Sequence, residues 1–142
     1  DASKEEIEQA AKMASVHDNI MKLKNAYQTI LGERGITLSG GQKQRVSIAR
    51  ALIKDPKILL LDDSLSAVDT ETEEQILNHI TKDLSNKTTI IACHRISTAM
   101  KADRIIVLEN GEILQEESHI ELLNTEGYYK DLYAKQLLEK VK

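Results

Sequence analysis

Residues 58–69 read ILLLDDSLSAVD: an unbroken aliphatic run, two adjacent aspartates, then a short polar stretch closed by a third. Charges rarely follow directly on an apolar run unless the chain has just left a core. The short run KILLLD, lying just after Pro56, predicts a strand buried on both faces. In an open parallel sheet, ligands sit beyond the carboxyl ends of the strands. Asp62 ends this run, so its carboxylate falls in that crevice. There it can hold Mg²⁺, and through the ion the phosphate oxygens of a nucleotide. For these residues alone, a solvated acid at a strand end, or a helix cap, is an equal alternative.

Upstream, residues 41–54 have helical spacing, with Val46, Ala49 and Ile53 on one face and Leu52 beside it. Asp55-Pro56 ends that helix, because proline disfavours the helical region for the residue before it. A capping-box pattern, Ser3 with Glu6, starts a helix over 3–14. A second helical stretch covers about 17–24, and YQTILGERGITLSGGQ reads as loop. Downstream, the spacing predicts an amphipathic helix over 70–84 and a second buried strand, KTTIIAC (87–93), with Cys93 inert inside it. A short helix over 96–101 and a strand, DRIIVLE (103–109), follow. Asn110-Gly111 is a strong hairpin turn before EILQE, and helices over 118–124 and 127–140 close the chain.

Strands separated by helices predict right-handed crossovers and a mainly parallel sheet. The pattern changes from all-helical to α/β near Pro56. The expected subdomains are therefore 1–54 and 55–142.

Composition excludes several classes. The 142 residues carry a net charge of −4 with both signs interspersed, so the basic face that duplex DNA demands is missing and nucleic acid is not an expected partner. No apolar run approaches the roughly 18–20 residues of a membrane span. A single cysteine cannot form an internal disulfide, which fits a reducing compartment. His17, His79 and His119 lack metal-ligand spacing and read as surface residues. The start DASKEEIEQAA lacks Met and looks mid-helix, so the chain is expected to be a piece of something larger.

The second chemical stretch is LSGGQKQR, residues 38–45. Ser39 can cap the helix that follows, and Gly40-Gly41 remove side chains from its mouth. Backbone N–H groups and the positive end of the helix dipole then face an anion. Taken as bare SGG, an ordinary capped helix after a glycine turn is the better explanation.

Taken together, LSGGQ (38–42), a helix, ILLLDD (58–63), SAVD (66–69) and the histidine after IIAC resemble the ATP-binding-cassette ATPases. LSGGQ looks like their signature motif, ILLLD their Walker B strand, SAVD their D-loop and His94 their switch histidine. TILGERG (29–35) looks like the X-loop of exporter-type transporters, which faces the membrane domain. The resemblance implies an α/β fold: the C-terminal part of a P-loop NTPase (RecA-like) domain with a parallel sheet, plus part of the α-helical signature subdomain. A Walker A loop is missing. Gly35 and Gly40 have the right spacing, but Gly41 and Gln42 stand where Lys and Ser/Thr belong. In the family that loop, the adenine-stacking aromatic and the Q-loop glutamine lie upstream.

The resemblance also implies roles. Leu38, Ser39, Gly40, Gly41 and Gln42 would bind ATP across a head-to-tail dimer, with Ser39, Gly41 and Gln42 on its γ-phosphate. Asp62 would hold Mg²⁺ through water, and His94 would contact the γ-phosphate and the attacking water. Ser66 and Asp69 would lie at the dimer interface, and Glu33 and Arg34 would couple to the transmembrane domain. The expected place is the cytoplasmic side of the cell membrane.

One position departs from the family. A glutamate usually follows the Walker B aspartate and polarises the attacking water; here the residue is Asp63. It is shorter by one methylene, so its oxygens fall more than about 1 Å short unless the backbone moves, and a misplacement near 1 Å can cost about 10²-fold. Asp63 is therefore expected to support nucleotide binding with weak hydrolysis, as in one half of a heterodimeric, multidrug-type exporter. A slow homodimer is the rival arrangement. Other functions left open are a non-catalytic regulatory module and a DNA-repair or chromosome-type ATPase. The isolated 142 residues are expected not to hydrolyse ATP.

Overall fold

The computed structural model describes residues 2–32 and 37–140. The described chain is α/β and divides into two compact units, residues 1–92 and 93–142.

The first unit opens with α1 (Lys4–Met13), whose Ser3–Glu6 capping box forms as expected. Helix α2 (His17–Met21) is shorter than the predicted 17–24, and a 3-10 turn over Ala26–Gln28 follows it. Helix α3 spans Gly40–Leu52. Its most buried residues are Ile48 and Leu52, with Val46, Ala49 and Ile53 packed at the margin of the core. The helix ends before Pro56, and Asp55 takes a left-handed backbone (φ 48°).

Strand β1 (Ile58–Asp62), helix α4 (Thr70–Asp83) and strand β2 (Thr88–Ala92) complete this unit. β1 and β2 pair in parallel, from Ile58 opposite Thr88 to Asp62 opposite Ala92. Helix α4 supplies Ile76, Leu77 and Ile80 to the core beneath Leu59 and Leu61.

Two strand expectations need correction. Among the described residues β1 is covered on one face: Leu59 and Leu61 face the core, whereas Ile58 and Leu60 are each 64% exposed. β2 alternates between exposed and half-buried positions. Among the described residues the core covers one side of this ribbon only. An all-aliphatic sequence hides that alternation, because both faces carry the same residue type. Cys93 is exposed and lies one residue past β2, where pairing with β1 has ended. Its thiol donates a long bond to the Arg95 carbonyl (3.8 Å).

In the second unit, α5 (Ile96–Ala99) precedes the hairpin β3 (Ile105–Glu109) and β4 (Glu112–Glu117). Asn110 and Gly111 both have positive φ (52° and 83°), as a two-residue hairpin turn of this hand requires. These strands form their own antiparallel sheet, with a bulge at Val107/Leu108. Helices α6 (His119–Asn124) and α7 (Tyr128–Lys140) pack on it around Leu122 and Tyr129. The histidines read as surface residues are better engaged than that. His17 and His119 are half-buried, and each Nδ1 lies 2.8 Å from a tyrosine hydroxyl, of Tyr27 and Tyr129 respectively. His79 is exposed, with Nδ1 3.1 Å from the Met13 carbonyl.

Candidate functional site

Ser39 caps α3 in a complete capping box. The Gln42 N–H donates to Ser39 Oγ (3.2 Å), and the Ser39 N–H donates to Gln42 Oε1 (2.9 Å). A helix leaves its first four N–H groups without intrahelical partners. The box satisfies two of them, so the N–H groups of Gly40 and Gly41 remain at the helix mouth. Ser39 Oγ accepts from the helix and keeps its proton for an outside acceptor. Gln42 keeps only its Nε2 donors, which narrows the role expected for it. Ser39 and Gly40 are exposed; Leu38, Gly41 and Gln42 are half-buried.

Asp62 and Asp63 are exposed at the carboxyl end of β1. The ladder continues one step past the strand, with the Asp63 N–H donating to the Ala92 carbonyl (3.2 Å). Asp63 then turns into the left-handed region (φ 47°), which aspartate enters more readily than most residues because of its short polar side chain. Its carbonyl accepts from Ser66 N (3.4 Å), Ser66 Oγ (3.0 Å) and Gln44 Nε2 (3.3 Å). The backbone of Asp63 is therefore held from both sides.

Gln44 is the residue that sequence reasoning missed here. Besides the Asp63 carbonyl, its Nε2 donates to Ser66 Oγ (3.0 Å), and its Oε1 accepts from the Ala67 N–H (2.9 Å). One side chain thus staples the first turns of α3 to the loop after β1. Gly41 completes the contact: a Cβ there would stand 2.7 Å from the Ala67 carbonyl oxygen, whereas one on Gly40 would make an ordinary 3.7 Å contact with Ala67 Cβ. Gly41 is thus required for packing against the loop, independently of any access it gives an anion. No local pattern announces such a contact, because the partners are 19 to 26 residues apart.

Asp69 is the N-cap of α4, with Oδ1 accepting from the Thr72 N–H (2.9 Å). That backbone hydrogen bond holds its carboxyl below the ordinary range, with further lowering from the Arg45 charge. A depressed carboxylate stabilises the fold fully above its unfolded pKa of about 3.9, and the stabilisation is lost as pH falls through the lower folded value. The cap should therefore hold from neutral pH to about pH 4 and release below it. Asp69→Asn should keep the cap and remove that acid dependence, whereas Asp69→Ala should lower the thermal midpoint at neutral pH. Thermal melts followed by circular dichroism between pH 7 and 3 measure both.

The first unit therefore carries the helix mouth at 39–42, Asp62, Asp63, Ser66 and Asp69, with Gln44 and Gly41 joining the helix to the 63–67 loop. His94 belongs to the second unit, exposed in the loop between β2 and α5. Glu33 and Arg34 lie outside the described residues.

Comparison with known proteins agrees with this layout. The family profile described as ABC transporter matches residues 2–66. The chain is 53% identical over 135 residues to the uncharacterized ABC transporter ATP-binding protein YfiB of Bacillus subtilis, covering 95% of the chain and 23% of that protein. It is 50% identical over 138 residues to the multidrug resistance-like ATP-binding protein MdlA of Escherichia coli, covering 97% of the chain and again 23% of the relative. Among solved structures, a bacterial Atm1-family ABC exporter with ATP bound superposes with a TM-score of 0.87 at 46% identity, over 95% of this chain and 24% of that one. The chain thus spans about a quarter of these relatives. With its stapled LSGGQ helix and aspartate-ended strand, it belongs to the ABC transporter family, as part of an exporter-type nucleotide-binding domain.

Proposed function

We propose that this chain binds ATP at a dimer interface, where hydrolysis drives transmembrane export, and that it is the half with the weaker catalytic strand in a heterodimeric, multidrug-type transporter. The observation that carries the reading is the junction made by Gln44 and Gly41. It ties the helix whose exposed mouth carries the Gly40 and Gly41 N–H groups to the loop that follows the exposed carboxylates at the end of β1. The names of the relatives, a multidrug resistance-like protein and an ATP-bound exporter, favour the same reading.

In this reading the N–H groups of Gly40 and Gly41, the Ser39 hydroxyl and Gln42 Nε2 donate to the phosphates of a nucleotide held by a second nucleotide-binding domain, against which Leu38 packs. Asp62 would hold Mg²⁺ through water, and the ion would supply positive charge to the bound phosphates. Asp62 suits such an ion, being an exposed, hard oxygen donor at the end of a parallel strand. Asp63 orients the attacking water poorly, and His94 contacts the γ-phosphate. Ser66 and Asp69 carry the intrachain bonds described above and border the dimer interface. Glu33 and Arg34 pass motion to the transmembrane domain at the cytoplasmic face of the membrane. Residues 1–54 belong to the helical subdomain and 55–142 to the ATPase core.

The test uses the full-length transporter chain, alone and with its partner subunit. Asp62→Asn should cut Mg²⁺-dependent nucleotide retention by this chain at least about tenfold, as expected for loss of the negative charge that holds the hydrated ion. Retention that is unchanged by the substitution sinks the assignment. ATPase activity that the partner fails to raise favours the regulatory-module reading instead.

A further inference from the structure

The loop that carries His94 runs from the end of β2 into α5. β2 ends at Ala92, α5 is a four-residue helix, and its N-cap, Arg95, makes no side-chain capping bond. One turn of helix is too short to hold itself in water. Helix α7 holds it through one side chain. Gln136 Nε2 donates to the His94 carbonyl (2.9 Å), and Gln136 Oε1 accepts from the Ile96 N–H (2.9 Å). The two ends of one planar amide are engaged at once, which fixes the backbone on the C-terminal side of His94 and caps the first N–H of α5.

Helix α7 is itself tied down at its other end. The Tyr129 N–H donates to Gln115 Oε1 (3.0 Å) on β4. Tyr129 is 2% exposed, and its hydroxyl lies 2.8 Å from His119 Nδ1. A continuous set of bonds therefore runs from the hairpin through α7 to the loop.

We propose that Gln136 is a positioning residue for His94, through which helix α7 sets the direction of the imidazole. The inference rests on the ATPase reading of His94 given above. It adds a residue whose role that reading does not contain. Movement or loss of α7 would then lower turnover without touching a nucleotide-binding group.

The test uses the full-length chain in the Asp63→Glu background, with a partner subunit whose catalytic glutamate is replaced by glutamine, so that turnover reports this chain's own site. Gln136→Leu should lower kcat about tenfold or more, within the range that a misplacement near 1 Å can cause, with KM for MgATP within about twofold of the parent. Hydrogen exchange of the 93–99 segment should quicken at the Ile96 amide. Gln136→Glu keeps the acceptor for that amide and loses the donor to His94, so it should restore protection while recovering only part of kcat. In a His94→Ala background, Gln136→Leu should change kcat no further.

Unaltered exchange in Gln136→Leu overturns the proposal. So does an unchanged kcat where His94→Ala lowers it, or a further loss on top of His94→Ala. A full kcat in His94→Ala overturns the ATPase reading of His94 itself, and is recognisable because it does not depend on Gln136.

Discussion

Gly41→Ala should destabilise the fold by about 1–3 kcal/mol, the range for overpacking a filled site, and lower ATP turnover of the assembled transporter about 10²-fold. The added methyl would stand 2.7 Å from the Ala67 carbonyl oxygen. That oxygen is main chain, and the loop carrying it cannot retreat freely. Ala67 N–H is bonded to Gln44, and its neighbours Leu65 and Val68 are buried at 7% and 3% exposure. The helix mouth must shift instead, taking the Gly40 and Gly41 N–H groups with it. Gly40→Ala is the control. Its methyl makes only a normal contact, and alanine favours a helix. Its thermal midpoint should match or exceed the parent's, so any loss of turnover in Gly40→Ala reports crowding of a ligand. Thermal melts and ATPase rates of both variants decide the matter. Parental stability in Gly41→Ala would refute the packing argument.

Asp63→Glu should raise turnover at this chain's own site about 10- to 100-fold, read in an assembly whose partner subunit has its catalytic glutamate replaced by glutamine; this is the inverse of the penalty for a base placed about 1 Å too far away. The structure sharpens this expectation. A short side chain could be compensated by a backbone shift, but here the Asp63 N–H is bonded to Ala92 and its carbonyl accepts from Ser66 and Gln44. The base of the side chain is pinned, and length must come from the side chain itself. A second effect runs the other way. Residue 63 has φ 47°, a region that glutamate occupies less readily than aspartate. The variant should therefore lose up to about 1 kcal/mol of stability while it gains rate. Steady-state ATPase together with a melt shows both; a rate no higher than the parent's removes the case for a weakened site.

Much of this layout is legible in the residues. Helix α4, the Ser3 capping box and the Asn110-Gly111 hairpin carry local signals, because cap and turn chemistry acts over a few neighbours. The order of LSGGQ, ILLLDD and SAVD points to the family without any knowledge of the fold. The exposure of one face of β1 among the described residues departs from expectation, as does Cys93, which lies one residue past β2. An apolar run reports what could be buried, whereas the covering elements decide which face is. Gln44 and Gln136 escape notice because a glutamine looks the same whether it is solvated or spans two loops. Their partners lie 19 to 23 and 40 to 42 residues away.

The Gln44 staple also bears on how chimeras between relatives should be cut. A graft that takes the LSGGQ helix from one parent and the strand-to-helix corner from another would pair a glutamine with a foreign loop, or a glycine with a foreign carbonyl. Crossovers are better set outside residues 39–67, so that the whole block is inherited from a single parent.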